Sequence, residues 1–167
     1  GIEICEDLWV PIPPSCRLAM AGAQIILNLS ASDDLIGKYK YLTSLLQQQS
    51  ARCLCAYAYA GAGWGESSTD LTFDGKAIIC ENGATLRRWD PSDNTSIADV
   101  DIQALERDRI HMATFADCAS TECKGITIEN SSSDLSICIT CQNSGSDTLA
   151  QTLLRNIDPH PFVPAGS

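Results

Sequence analysis

Residues 24–29 form an almost unbroken apolar run, with Ile25-Ile26-Leu27 at its centre, that passes directly into the polar stretch Ser30-Ala31-Ser32-Asp33-Asp34. Consecutive apolar positions suit a parallel strand covered by helices. Parallel neighbours need a crossover between them, and the sequence supplies one upstream. Residues 1–5 read as a short strand ending at Cys5, and Glu6-Asp7-Leu8-Trp9 as a turn. The prolines of Pro11-Ile12-Pro13-Pro14 bar a central strand, and residues 16–22 read as a helix capped by Ser15. The order strand, turn, helix, strand predicts an α/β fold.

Farther along, Tyr41, Leu42, Leu45, Leu46 and Gln49 recur at three- and four-residue steps, which predicts a helix over residues 38–53. Residues 54–59 shift toward alternation and read as a strand. The glycines of Gly61-Ala62-Gly63-Trp64-Gly65 permit a tight loop, but they lack both the Gly-x-Gly-x-x-Gly spacing and the Lys-Ser/Thr of nucleotide-binding loops. Residues 71–73, 77–80 and 85–88 read as short strands of a meander, joined at Asp74-Gly75 and Asn82-Gly83. Residues 97–102 alternate as a further strand, and residues 103–112 form a charged helix. From residue 117 to 147 the composition turns to Ser, Thr, Cys and Gly, which reads as an exposed polar segment. A short helix at 148–156 and an extended proline-containing tail complete the chain.

The chain has 167 residues, 44% hydrophobic and 19% charged, enough to bury the core of one domain. Its net charge of −10, with no basic cluster larger than Arg87-Arg88, argues against nucleic acid as a partner. The apolar runs are too short to cross a bilayer, and no secretion signal is present, so neither membrane nor export is expected. The nine cysteines are odd in number and several sit in apolar runs, which predicts reduced, mostly buried thiols in a cytoplasmic protein. The sequon-like Asn28, Asn94 and Asn130 carry no meaning without secretion. Gly1 is not an initiator Met and the chain opens in mid-strand, so a fragment is expected.

Cys5 is the candidate nucleophile, because it ends a strand and enters a tight turn, where α/β enzymes present reactive groups. A thiol attacks as thiolate and needs a base or cation nearby, and the N–H of the next residue can hold the oxyanion that forms. His111 on a charged helix and His160 in a proline-rich tail read as surface residues, so a Cys-His pair within this chain is not expected. Glu6 and Asp7 flank Cys5, and carboxylates beside a thiol raise its pKa, so they read as substrate or framework groups. Cys118, Cys123, Cys138 and Cys141 could frame a structural zinc, but the spacing of the first pair favours unligated thiols, and no metal is expected.

Several blocks in fixed order carry a resemblance. They are Ile4-Cys5-Glu6-Asp7-Leu8-Trp9, Pro13-Pro14-Ser15, Asn28-Leu29-Ser30-Ala31-Ser32, Gly37-Lys38, Tyr57-Ala58-Tyr59, Gly65-Glu66-Ser67, Thr69-Asp70-Leu71 and Glu81-Asn82-Gly83. The chain resembles the glutaminase domain of glutamine-dependent NAD⁺ synthetases, a branch of the carbon–nitrogen hydrolase, or nitrilase, superfamily. The match is dense over residues 1–90 and thinner over 96–115, and Pro161-Phe162-Val163-Pro164 resembles the passage from glutaminase to synthetase.

The resemblance implies an α/β/β/α sandwich of which this is the C-terminal portion: residues 1–115, a Ser/Cys-rich segment and short helix at 116–157, and a linker at 158–167 toward a synthetase domain. It implies a Glu, Lys and Cys catalytic group with Cys5 as nucleophile and the backbone N–H of Glu6 in the oxyanion hole. The Glu and Lys would precede Gly1, which implies that the piece alone is inactive. Glu6, Ser32 and Lys38 would bind glutamine, whereas Asn28, Tyr59, Glu66 and Asp70 more simply hold loops in place. No cofactor site falls in this chain; ATP and Mg²⁺ would serve the complete, homo-oligomeric enzyme. A different amidase of the superfamily, or a non-catalytic interaction domain, is the alternative.

Overall fold

The computed structural model describes residues 1–93, 95–122 and 154–155. Five strands form one sheet in the order β1-β2-β3-β4-β5: β1 Ile2–Ile4, β2 Ile25–Ser30, β3 Ala56–Gly61, β4 Ala77–Glu81 and β5 Ala84–Arg87. The first three are parallel, with Ile4 opposite Leu29 and Asn28 opposite Tyr59. β4 and β5 follow antiparallel. Helices α1 (Pro14–Met20) and α2 (Lys38–Arg52) provide the two crossovers, and α3 (Ile102–His111) and α4 (Ala113–Glu122) follow the sheet.

The apolar run that predicted β2 turns out to alternate in burial. Ile26, Asn28 and Ser30 lie under the helices, while Ile25, Leu27 and Leu29 face the other way. The covered face packs against Leu42 and Leu46 of α2, both almost fully buried, together with Tyr57, Ile78 and Cys80. Each such aliphatic side chain stabilises the fold by about 1.5–3 kcal/mol through burial. The opposite face leaves Ile2 and Ile4 each 62% exposed and Leu29 58% exposed. Among the described residues, therefore, only one side of the sheet carries a helical layer.

The β4–β5 hairpin turns at Asn82 (φ +43°) and Gly83 (φ +87°), the paired left-handed conformation whose twist matches that of adjoining strands. A side chain at Gly83 would meet Ala51 Cβ at 3.1 Å, so the turn and α2 also need glycine's small size there.

Four expectations are corrected. Ser15 does not cap α1: Pro13 holds the cap position and Pro14 begins the helix, where proline's missing N–H costs nothing. Residues 71–73 form no strand. They are held as a loop by Ser67 and Ser68 side chains, with Asp34 N–H donating to Thr72 O. Residues 97–102 are not a strand either, because the Asp101 carboxylate accepts the Ala104 N–H at 2.8 Å and starts α3. Residues 113–122 form the helix α4, so the polar segment expected from residue 117 opens as a helix. The expected helix at 148–156 and the tail lie, apart from Leu154 and Arg155, outside the described residues. Among the described residues no helix is long and apolar enough to cross a membrane.

Candidate active site

Cys5 follows β1 directly and opens a short 3₁₀ turn, Cys5–Trp9, at the C-terminal end of the parallel strands. Ligand sites of open parallel sheets gather at that end. Its φ of +47° is left-handed, a conformation that costs a non-glycine residue about 1–2 kcal/mol. Asp7 helps hold the turn, its Oδ2 accepting the Ile4 N–H at 2.8 Å. The half-buried Cys5 faces a cleft of about 330 Å³ lined also by Glu6, Trp9, Ala31, Ser32, Asp33 and Lys38. Four residues singled out from sequence, Cys5, Glu6, Ser32 and Lys38, thus border one cleft.

Ser32 sits just past the end of β2. Lys38 begins α2 behind Gly37, whose φ of +84° turns the chain into the helix. The Lys38 Nζ donates to the Asp33 carboxylate at 2.6 Å and to the Asp33 carbonyl at 2.8 Å, and lies 5.5 Å from the Trp9 ring centroid. That bond to Lys38 holds the Asp33 carboxyl below the usual carboxylate range. Trp9 in turn stacks on Tyr41 at 5.6 Å, so the cleft has a firm aromatic wall. Below the cleft lies the buried Tyr59 hydroxyl. Burial, above all, pushes its pKa up. Sequence reasoning missed Trp9 and Asp33 as cleft residues. The signal for Asp33 was its distance of five residues from Lys38, bridging a strand end and a helix start.

The remaining candidates sit elsewhere. Glu66 closes the short turn Trp64–Glu66 and accepts the Gly63 N–H at 3.2 Å, and Asp70 is exposed on the loop after it. His111 is exposed on α3, while His160, Asn94, Asn130, Cys123, Cys138 and Cys141 lie outside the described residues. Cys53, Cys55 and Cys80 are buried. The Cys53 thiol is pushed up first by hydrogen bonding to the neighbouring free thiol of Cys55 and then by burial, and Cys16 and Cys80 by burial, which keeps these groups protonated. A cleft of about 540 Å³ beside Gly61, Gly63 and Gly75 is lined by Asp74, Asp90 and Asp93. Asp74 is paired with Lys76 and Asp93 with Arg87, and a Cβ at Gly61 would come within 3.2 Å of the Lys76 carbonyl, so this loop packs on backbone.

No protein-family model matches the chain. Curated relatives do. A glutamine-dependent NAD(+) synthetase of Mycobacterium tuberculosis is 41% identical over 167 residues, covering 98% of this chain and 23% of that protein. One from Mycobacterium leprae is 47% identical over 119 residues, 70% of this chain and 18% of that protein. The chain is a relative of the glutamine-dependent NAD⁺ synthetases. It spans about a quarter of the length of the synthetases that it matches. A carbon-nitrogen hydrolase from Helicobacter pylori G27 shares the fold, with a TM-score of 0.55 and 21% identity over 70% of this chain and 44% of its own. The mixed sheet with its helices matches part of the nitrilase-type α/β/β/α sandwich.

Proposed function

We propose that this chain carries the nucleophile and part of the glutamine pocket of a glutamine amidohydrolase that feeds ammonia to NAD⁺ synthesis. The observation that carries the reading is Cys5, held in left-handed backbone at the end of a parallel strand and opening on the cleft that also holds Glu6, Ser32 and Lys38. Likeness to the synthetases supplies the substrate.

On this reading the Cys5 sulfur bonds to the side-chain carbonyl carbon of glutamine, and its proton passes to a base. The Glu6 N–H lies in the first turn of the 3₁₀ segment, where no intrahelical acceptor exists, and it donates to the oxyanion. The carbon–nitrogen bond then breaks, the nitrogen takes the proton and leaves as ammonia, and water hydrolyses the glutamyl thioester to glutamate. The Glu6 carboxylate meets the substrate ammonium and the Ser32 hydroxyl its polar end. Lys38, already tied to Asp33, shapes the rim. The base and the oxyanion lysine come from the rest of the longer protein, as does the second sheet that covers Ile2, Ile4 and Leu29 and completes the sandwich.

The same reading makes residues 1–157 the C-terminal portion of the glutaminase domain and 158–167 the link to an ATP- and Mg²⁺-dependent synthetase that amidates deamido-NAD⁺. It also carries a cytoplasmic location and self-association of the whole protein. In that protein Cys5→Ala is expected to lower glutamine-driven synthesis by at least about a thousandfold and leave ammonia-driven synthesis intact. Glutamine-driven turnover surviving in the alanine variant would refute the assignment.

A further inference from the structure

Glu3 lies two residues before Cys5 with its side chain on the helix-covered face, 2% exposed. Its Oε1 accepts the proton of the Tyr57 hydroxyl, and its Oε2 accepts the Ser15 N–H at 2.7 Å. The network continues outward from both partners. Asn28 Nδ2 donates to the Tyr57 oxygen at 3.1 Å, and Gln49 Nε2 donates to Ser15 Oγ at 2.9 Å. One carboxylate thereby joins β1 to β3, β2, α1 and α2. Burial pushes the Tyr57 pKa up, and the bond to Glu3 and the proximity of its charge push it further, so the phenol stays a donor.

The short strand β1 needs such a tie to hold Cys5 in place. β1 is three residues long and, among the described residues, pairs only with β2. A few edge-strand hydrogen bonds, each worth about 1 kcal/mol net, are a slight anchor for a left-handed residue costing about as much. Asp7 fixes the far side of the turn through the Ile4 N–H. Glu3 fixes the near side. Two carboxylates, at positions two before and two after Cys5, bracket the thiol without pointing at it.

We propose that Glu3 is a positioning residue for Cys5, acting through the backbone of Ile4 and Cys5 by its bonds to Tyr57 and Ser15; this rests on the reading of Cys5 as the nucleophile. The function requires hydrogen-bond partners in place, not a charge. In Glu3→Gln the new amide carbonyl can still accept the Ser15 N–H, and its NH₂ can donate to the Tyr57 oxygen. The Asn28 amide, whose Nδ2 now donates to the Tyr57 oxygen and whose buried Oδ1 has no partner among the described residues, can turn over so that Oδ1 accepts the phenolic proton.

The test uses the full-length protein and follows glutamine hydrolysis and, separately, the rate at which iodoacetamide alkylates Cys5. Glu3→Ala is expected to lower kcat by about tenfold or more with KM changed less than about threefold, because a displaced nucleophile loses rate before it loses binding. Its Cys5 alkylation rate should shift by about fivefold or more, and Glu3→Gln should restore both to within about threefold of the parent. An alanine variant with unchanged kcat, or a glutamine variant as damaged as the alanine one, overturns the proposal. If Glu3→Ala does not fold, Tyr57→Phe decides: a kcat loss of about threefold or more at constant KM supports the clasp, and no loss overturns it. Should the full-length Cys5→Ala variant still hydrolyse glutamine, the functional reading fails, while the alkylation rates of the Cys5-containing proteins still decide whether Glu3 holds the thiol.

Discussion

Beside the Asn82 hairpin, two further turns among the described residues bend through the same unusual backbone region, Cys5 at φ +47° and Leu54 at φ +44°, and they serve opposite ends. Leu54 joins α2 to β3 inside the core, 2% exposed. There the left-handed residue closes a helix: the Cys55 N–H returns to the Ser50 carbonyl at 3.0 Å, and the Leu54 N–H to the Ala51 carbonyl at 3.2 Å. Arg109 of α3 seals the junction, donating to the carbonyls of Ala23 at 2.6 Å, Leu54 at 3.0 Å and Cys53 at 3.1 Å. The thiols on either side of Leu54 are buried. At Cys5 the strained residue itself carries the thiol, and it looks onto a cleft. Backbone strain alone therefore says nothing about function; what it presents, and to which surroundings, does.

The contrast can be broken in order of expected effect. Leu54→Gly relieves the strain but removes a buried leucine, and should cost about 3 kcal/mol, read as lost amide-exchange protection along β3 in the full-length protein. Arg109→Met leaves three carbonyls without their donor and should cost about 2 kcal/mol at the same amides. Cys5→Gly has the opposite sign. It should raise protection of β1 by about 1 kcal/mol while abolishing glutamine hydrolysis, because glycine accepts φ +47° without strain. Equal destabilisation by both glycine variants would erase the distinction between the two turns.

The smallest effect is a pH dependence. Cys53 and Cys80 have thiols raised above the ordinary value of 9.0, the first by hydrogen bonding to the Cys55 thiol and by burial, the second by burial. A thiol raised in the folded state contributes stability that is fully present below the unfolded value and is lost as pH rises toward the folded one. Thermal stability should therefore fall above about pH 9, and the fall should be shallower in Cys80→Ala. An identical slope in that variant would show that Cys80 is not held protonated by the fold.

Much of the sheet is legible in the amino-acid order, because β2, β3 and the Asn82-Gly83 hairpin are local patterns. The helix α2 follows from spacing alone, and the structure ends it at Arg52, one residue before the expected end. The failures arise where tertiary partners override local preference. Ser15 looks like a cap, yet Pro14 can start the helix alone, and burial assigns Ser15 to Glu3 and Gln49. Residues 97–102 alternate, but Asp101 commits its carboxylate to α3. The cleft is half legible. Cys5 comes from its place at a strand end and Glu6, Ser32 and Lys38 from motif likeness, whereas Trp9 and Asp33 require knowing that strand ends and a helix start converge. Glu3 gives no sign at all, since a glutamate in a three-residue strand looks like a solvent-facing charge until its burial is seen.

The most direct measurement is covalent labelling of the full-length protein with a glutamine-like diazo-ketone, with the modified peptides identified by mass spectrometry. Modification should fall on Cys5, be slowed by added glutamine, and spare Cys16, Cys53, Cys55 and Cys80. Equal labelling of the Cys5→Ala variant, or modification concentrated at one of the buried thiols, would contradict the assignment of Cys5 as the nucleophile.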